Sequence, residues 1–342
     1  MHMHLFKEEY MKRISVVLLM LVLVTGMVFA AASAEQQQAK TITLATGDAI
    51  GSLRNLAGEY FKAEIEKRPE LNLKVNHVQG AVIGTASQIM DQVVEGSVHL
   101  FGNDIAWIVP YNPDFQPISF GFMYRDVDHM NAYFKSRVFL DLADKVAQDS
   151  GMRIIAPVPM ASRMFFSVKP LTTVQDFKGL KVRAPGLEMF VKSYEAYGAS
   201  PTTVAWNEIF LALKTKLVEA AHGPVADVIA NKWHLAAPYI TRTEDMYAAN
   251  AWYVNEPFWK ALSDAQRKGI QEALDATNVW SFEQSKASEQ SLIDQMVSEG
   301  AIYNSSFADR EALRSQAIDA VKKLEASGKW SSGLVDAIQA IK

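Results

Sequence analysis

One stretch of this 342-residue chain has the make-up of an anion contact. In Asp176-Phe177-Lys178-Gly179-Leu180-Lys181-Val182-Arg183-Ala184-Pro185-Gly186, a short strand sets Lys181 and Arg183 on the face opposite Leu180 and Val182, then ends at Pro-Gly. Arg183 therefore stands at a strand end. Ligands of open α/β sheets sit in the crevice beyond the strand carboxyl ends, and a guanidinium suits a bidentate carboxylate contact. The same local pattern also describes a solvated arginine on an edge strand. Thr46, Asp48 and Ser52, just after the first expected strand, are candidates for the wall facing it.

Catalytic chemistry is not spelled out anywhere in the chain. There is no cysteine, no Gly-x-Ser-x-Gly elbow, no His-Glu-x-x-His zinc helix, no P-loop and no Gly-x-Gly-x-x-Gly dinucleotide turn. His77, His99, His129, His222 and His234 are scattered, and no pair among them has the spacing of helical metal ligands. A hydrolase or isomerase built on His222 with Glu219 or Glu208 would lack a nucleophile. The expectation is a binding protein rather than an enzyme, with no cofactor and no metal.

The elements that must position Arg183 follow an alternating β and α pattern, which is that of parallel strands joined by helices. Strands are expected at 41–45, 71–78 and 98–101, with helices at 52–68 and 84–94 between them. Further on, 126–148 reads as helical, 153–156, 164–168 and 180–182 as extended, and 188–197, 206–215 and 224–233 as helices. The stretch 263–299 contains no proline and only Gly269 as an interior breaker, and Ser263 with Gln266 makes a capping box. It reads as one helix of about 50 Å, or as a kinked or two-piece one. Helices at 309–326 and 331–341 close the chain. The expected fold is α/β with two interwoven lobes: residues 35–157 with a returning segment 242–280, and 158–241 completed by 281–342. Crossings between the lobes are expected near 157–160 and 240–255.

Residues 1–34 read as a signal peptide. Lys12 and Arg13 precede the apolar run Ile14 to Ala32, and Ala32-Ser33-Ala34 offers small residues to a signal peptidase. An uncleaved anchor competes, but the small residues and the polar Glu35-Gln36-Gln37-Gln38 favour cleavage. Without cysteine there is neither a lipoprotein anchor nor a disulfide framework. A free periplasmic protein held by its own core is expected, and 49% hydrophobic composition allows for two lobes. Removing the leader takes away three basic and two acidic residues, so the formal charge of −4 becomes −5. That balance, with no Lys/Arg block, excludes a nucleic-acid groove or polybasic membrane patch.

The segment from Asp176 to Arg183 resembles the Asp-x-x-Gly-Leu-Lys-x-Arg motif of the DctP-type solute-binding proteins of TRAP transporters. Gly84 to Gly96 is similar to that family's Leu-Gly helix leading to a Gly before a strand. Phe120-Gly121-Phe122-Met123-Tyr124-Arg125-Asp126 resembles its Pro-Phe-Leu-Phe-Arg-Asp turn. Gly198-Ala199-Ser200-Pro201, Glu208 and Ala212-Leu213 match its Gly-Ala-x-Pro and Glu-x-x-x-Ala-Leu signature. The similarity runs along almost the whole chain after the leader, and the long C-terminal helix fits the family's lobe-spanning one.

What the resemblance implies is a two-lobe periplasmic protein, expected as a monomer, that closes on a small organic anion and delivers it to a sodium-driven TRAP permease. Arg183 becomes the carboxylate clamp. Arg163 falls where many members have a second site-facing arginine, its other reading being a strand-start arginine facing water. Trp206 stands where the family lines its cleft, so its ring would cover the ligand's apolar part. One departure concerns the second contact to the acid. The family continues Gly-x-Val-Asp-Gly-x-Glu-Asn-Pro, whereas this chain has His222 for that Glu and Gly223 for that Asn before Pro224. A backbone N–H, a water or His222 is then the substitute, unless His222 is a structural strand-end residue. The alternative function on the same fold is a sensory protein feeding a signalling system.

Overall fold

A computed structural model describes residues 39–342, so the expected leader lies outside the described residues. The chain opens with β1 (Lys40–Thr46), α1 (Leu53–Glu66), β2 (Leu73–Gln79), α2 (Ala86–Glu95) and β3 (Leu100–Asp104). Next come α3 (Val127–Lys135), α4 (Arg137–Ser150), β4 (Met152–Ser167), β5 (Lys181–Ala184), α5 (Glu188–Ala196) and β6 (Ser200–Thr203). After these follow α6 (Ile209–Lys214), β7 (Ala220–Pro224), α7 (Val225–Ala230), β8 (Tyr239–Thr241), β9 (Tyr247–Asn255) and α8 (Glu256–Lys260). The chain ends with α9 (Asp264–Ser298), β10 (Ile302–Asn304), α10 (Arg310–Ala326) and α11 (Leu334–Ala340).

Side-chain caps explain many of these boundaries. Ser52 accepts from the Asn55 N–H and starts α1, while Thr85 with Gln88 and Ser263 with Gln266 form capping boxes on α2 and α9. The expected helix over 126–148 is two helices, because Ser136 is extended and its hydroxyl accepts from the Phe139 N–H to cap α4.

The strands follow the order β2-β1-β3-β9-β4-β7-β5-β6, with β8 and β10 beside the end of β4. β1 and β3 are parallel, β5 is parallel to both β6 and β7, and the antiparallel β9 and β4 join the two groups. The 16-residue β4 is the shared element: Met152–Ser162 pairs with β9, and Arg163–Ser167 pairs with β7. The two extended segments expected at 153–156 and 164–168 are therefore one strand. Pro157 and Pro159 lie where its register against β9 shifts twice, a bulged stretch that tolerates a residue without an N–H.

Helix α9 is continuous, about 50 Å long, and runs past both groups of strands. Its first half buries Ile270 and Leu274 with Ile42, Phe61 and Trp252, whereas its second half buries Ile293 and Met296 with Met164, Phe166 and Ile240. Its interior glycine has a packing reason. A Cβ on Gly269 would collide with the Leu71 side chain. Residues 41–342 pack as one unit, as the shared β4 requires.

Candidate functional site

Five strand ends converge on a cavity of about 260 Å³. Gly47 and Asp48 follow β1, Asp104 ends β3, Arg183 and Pro185 come from the end of β5, Thr203 to Trp206 close β6, and Pro224 ends β7. These are carboxyl ends of parallel strands, the place where open α/β sheets bind ligands. Of the residues expected at the site, Arg183, Arg163, Trp206 and Asp48 line the cavity together.

Arg183 reaches the cavity because β5 alternates: Lys181 is exposed, while Arg183 is only 5% exposed. Its Nε donates to the Val204 carbonyl at 2.9 Å, and its guanidinium carbon lies 5.5 Å from the Trp206 ring centroid. No acidic side chain pairs with it among the described residues. Burial pushes its pKa down to about 9, with Arg163 lowering it further against the pull of Tyr194 and Asp104, and the group stays charged at neutral pH. Trp206 meets Trp233 edge to face at 4.7 Å, which sets the ring over the arginine.

Arg163 is held differently. One terminal nitrogen donates to Asp104 at 3.3 Å, another to the His222 carbonyl at 2.8 Å, and its guanidinium lies over the Phe190 ring. Across the cavity, Arg54 donates to Asp48 at 2.7 Å and to Asn250 at 3.0 and 3.2 Å. Asp227, in the first turn of α7, is 6% exposed, and its carboxylate makes no hydrogen bond or ion pair among the described residues. Burial raises its pKa to about 6, against the pull of Arg54 and with Asp48 and Asp104 adding to the rise.

The other expected residues sit behind the wall. His222 stacks on Phe165 at 4.2 Å and lies 3.4 Å from Asp245, itself bonded by Tyr197 and Thr243, so its ring is a packed core group. Burial lowers its pKa, although Asp245 pulls the other way. Its contribution toward the cavity is the carbonyl that holds Arg163. Gly223 does not line the cavity either: a Cβ there would come within 2.9 Å of Trp233 and 3.6 Å of Trp206, so the missing side chain makes room for the tryptophan pair. Thr46 is fully buried and bonds His77 at 2.7 Å, and Ser52 is spent on capping α1.

Arg54, Asp104 and Asp227 are the cavity charges that sequence reasoning missed. Asp104 had a signal, standing at the carboxyl end of β3. Arg54 and Asp227 follow strand ends within short helical openings and look like solvated helix residues until the strands are assembled.

The model of the bacterial extracellular solute-binding proteins, family 7 (DctP), matches residues 49–327. The sialic acid-binding periplasmic protein of Vibrio cholerae is 24% identical over 83% of this chain and 88% of its own length. The ectoine-binding periplasmic protein of Halomonas elongata is 22% identical over 71% of each chain. A solved TRAP periplasmic solute-binding protein from Roseobacter denitrificans, with bound β-D-glucuronate, superposes with a TM-score of 0.82 at 20% identity, over 89% of this chain and 100% of that one. No helix among the described residues is long and apolar enough to cross a membrane. A match spanning most of the chain, on a fold whose strand ends enclose a cavity at the family's arginine motif, places the chain in the DctP family of TRAP solute-binding proteins.

Proposed function

We propose that the protein captures a small organic anion in this cavity and hands it to a TRAP membrane permease, with Arg183 as the carboxylate contact. The observation that carries this reading is a buried guanidinium on the cavity wall with no acidic partner. An uncompensated buried charge costs several kcal/mol, and a ligand carboxylate would offset that cost when it binds. Arg163 lies on the same wall, already oriented by Asp104 and the His222 carbonyl. Trp206 covers the ligand's apolar part. The named ligands of the relatives, sialic acid and ectoine, and the glucuronate in the solved structure, all contain a carboxylate.

In this reading residues 35–157 with 242–280 form one lobe and 158–241 with 281–342 the other, and the protein, a monomer, closes about the acid by bending at the shared β4 and β9. Support comes from the two ends of α9 packing into different cores. Residues 1–34 act as a cleaved export signal, so that the protein works in the periplasm without catalysing a reaction. Calorimetric titration with a panel of organic acids should give one saturable site, with the acid recovered unmodified. Arg183→Ala should weaken binding by about 3 kcal/mol, roughly a hundredfold. Affinity unchanged in that variant would discard the clamp.

A further inference from the structure

Two charges on the cavity wall are left unmatched, and they have opposite signs. Six ionisable side chains line the cavity: Arg54, Arg163, Arg183, Asp48, Asp104 and Asp227. Four of them pair off, Arg54 with Asp48 at 2.7 Å and Arg163 with Asp104 at 3.3 Å. The remaining two are Arg183 and Asp227. No ion pair joins them. At 5% and 6% exposure, neither belongs to a solvated rim, and both reach solvent only through the cavity that they line. Arg54 acts on Asp227 only from beyond ion-pair distance, and a buried charge without an ion pair is destabilising; here both such groups line one cavity.

We propose that the ligand is a zwitterion, a small carboxylate that also carries a protonated nitrogen, and that Asp227 is the specificity-determining residue that accepts from that nitrogen. The inference rests on Arg183 as the carboxylate contact and names the chemistry of the opposite end. An acid without such a nitrogen compensates Arg183 but adds negative charge to a wall where Asp227 stands near Asp48 and Asp104. A zwitterion compensates both unmatched groups at once and leaves the net charge of the cavity unchanged. Asp227 loses its proton at about 6, so it is available as an anion at neutral pH.

The test is titration followed by tryptophan fluorescence, since Trp107 and Trp206 line the cavity. The probes are two zwitterions, ectoine and proline, and two acids without a cationic nitrogen, D-glucuronate and succinate. At least one zwitterion should bind tenfold or more tightly than either acid. Asp227→Asn should weaken that zwitterion tenfold or more while strengthening the nitrogen-free acids. In the unaltered protein the zwitterion's affinity should fall as the pH is lowered through about 6, where Asp227, facing Arg54, Asp48, Arg163 and Asp104, takes up a proton; in Asp227→Asn that dependence should disappear. Tightest binding by a nitrogen-free acid, or equal weakening of both classes in Asp227→Asn, overturns the zwitterion and leaves the Arg183 reading standing. Binding of every probe unaffected by Arg183→Ala would instead overturn the reading beneath it.

Discussion

Asp227 should lower the stability of the unliganded protein, because its carboxyl has a pKa of about 6 in the fold against an ordinary value near 3.8. Above pH 6 the folded state carries a buried anion that the unfolded chain solvates freely. As the pH falls from about 6 toward 4 the folded state takes up the proton first, so this penalty is relieved. Asp227→Asn is accordingly expected to raise the stability of the apo protein at pH 7 by up to about 3 kcal/mol, and by progressively less toward pH 4. Denaturant unfolding of both proteins across that range measures it; a gain independent of pH would contradict the assignment. Arg183 was legible in the sequence because its strand, its alternation and its Pro-Gly stop are all local. Asp227 was not, since a carboxylate in a helical first turn is ordinary until tertiary packing removes its water. For His222 the sequence leaves a ligand contact and a structural strand-end residue both open, because its neighbours Phe165, Tyr194 and Asp245 come from three other parts of the chain.

At the scale of elements, the end of β7 and the tryptophan pair form one packing unit. Gly223→Ala places a methyl against Trp233 and Trp206, and should cost about 1–3 kcal/mol of stability while weakening ligand binding through the displaced Trp206 ring. Thermal unfolding and titration together check this, and loss of stability with unaltered affinity would detach Trp206 from the ligand. Ala156, at φ +45 inside β4, holds a left-handed conformation that costs a non-glycine residue about 1–2 kcal/mol. Ala156→Gly should therefore raise stability by roughly 1 kcal/mol in equilibrium unfolding. Helix α9 was readable from its capping box and its lack of proline. The continuity of β4 was not, because Pro157 and Pro159 read as breaks wherever the partner strand and its register are unknown.

Across the whole molecule, β4 joins the two groups of strands and α9 braces them, with the cavity at the strand ends. Ligand that binds only the folded form should add about 2.7 kcal/mol of stability at a hundred times its dissociation constant, a gain that Arg183→Ala should cut to about 0.4 kcal/mol at the same ligand concentration. The alternating β and α pattern was enough to announce two interwoven lobes. What it left out is that the expected crossing at 157–160 lies inside the strand β4, and that most of the one at 240–255 is the strand β9. The most direct test of the central claim is mass spectrometry of what the purified protein releases on denaturation. One carboxylic acid per chain is expected, absent from Arg183→Ala prepared in the same way. An equal yield of that compound from the variant, or a retained ligand without an acidic group, would contradict it.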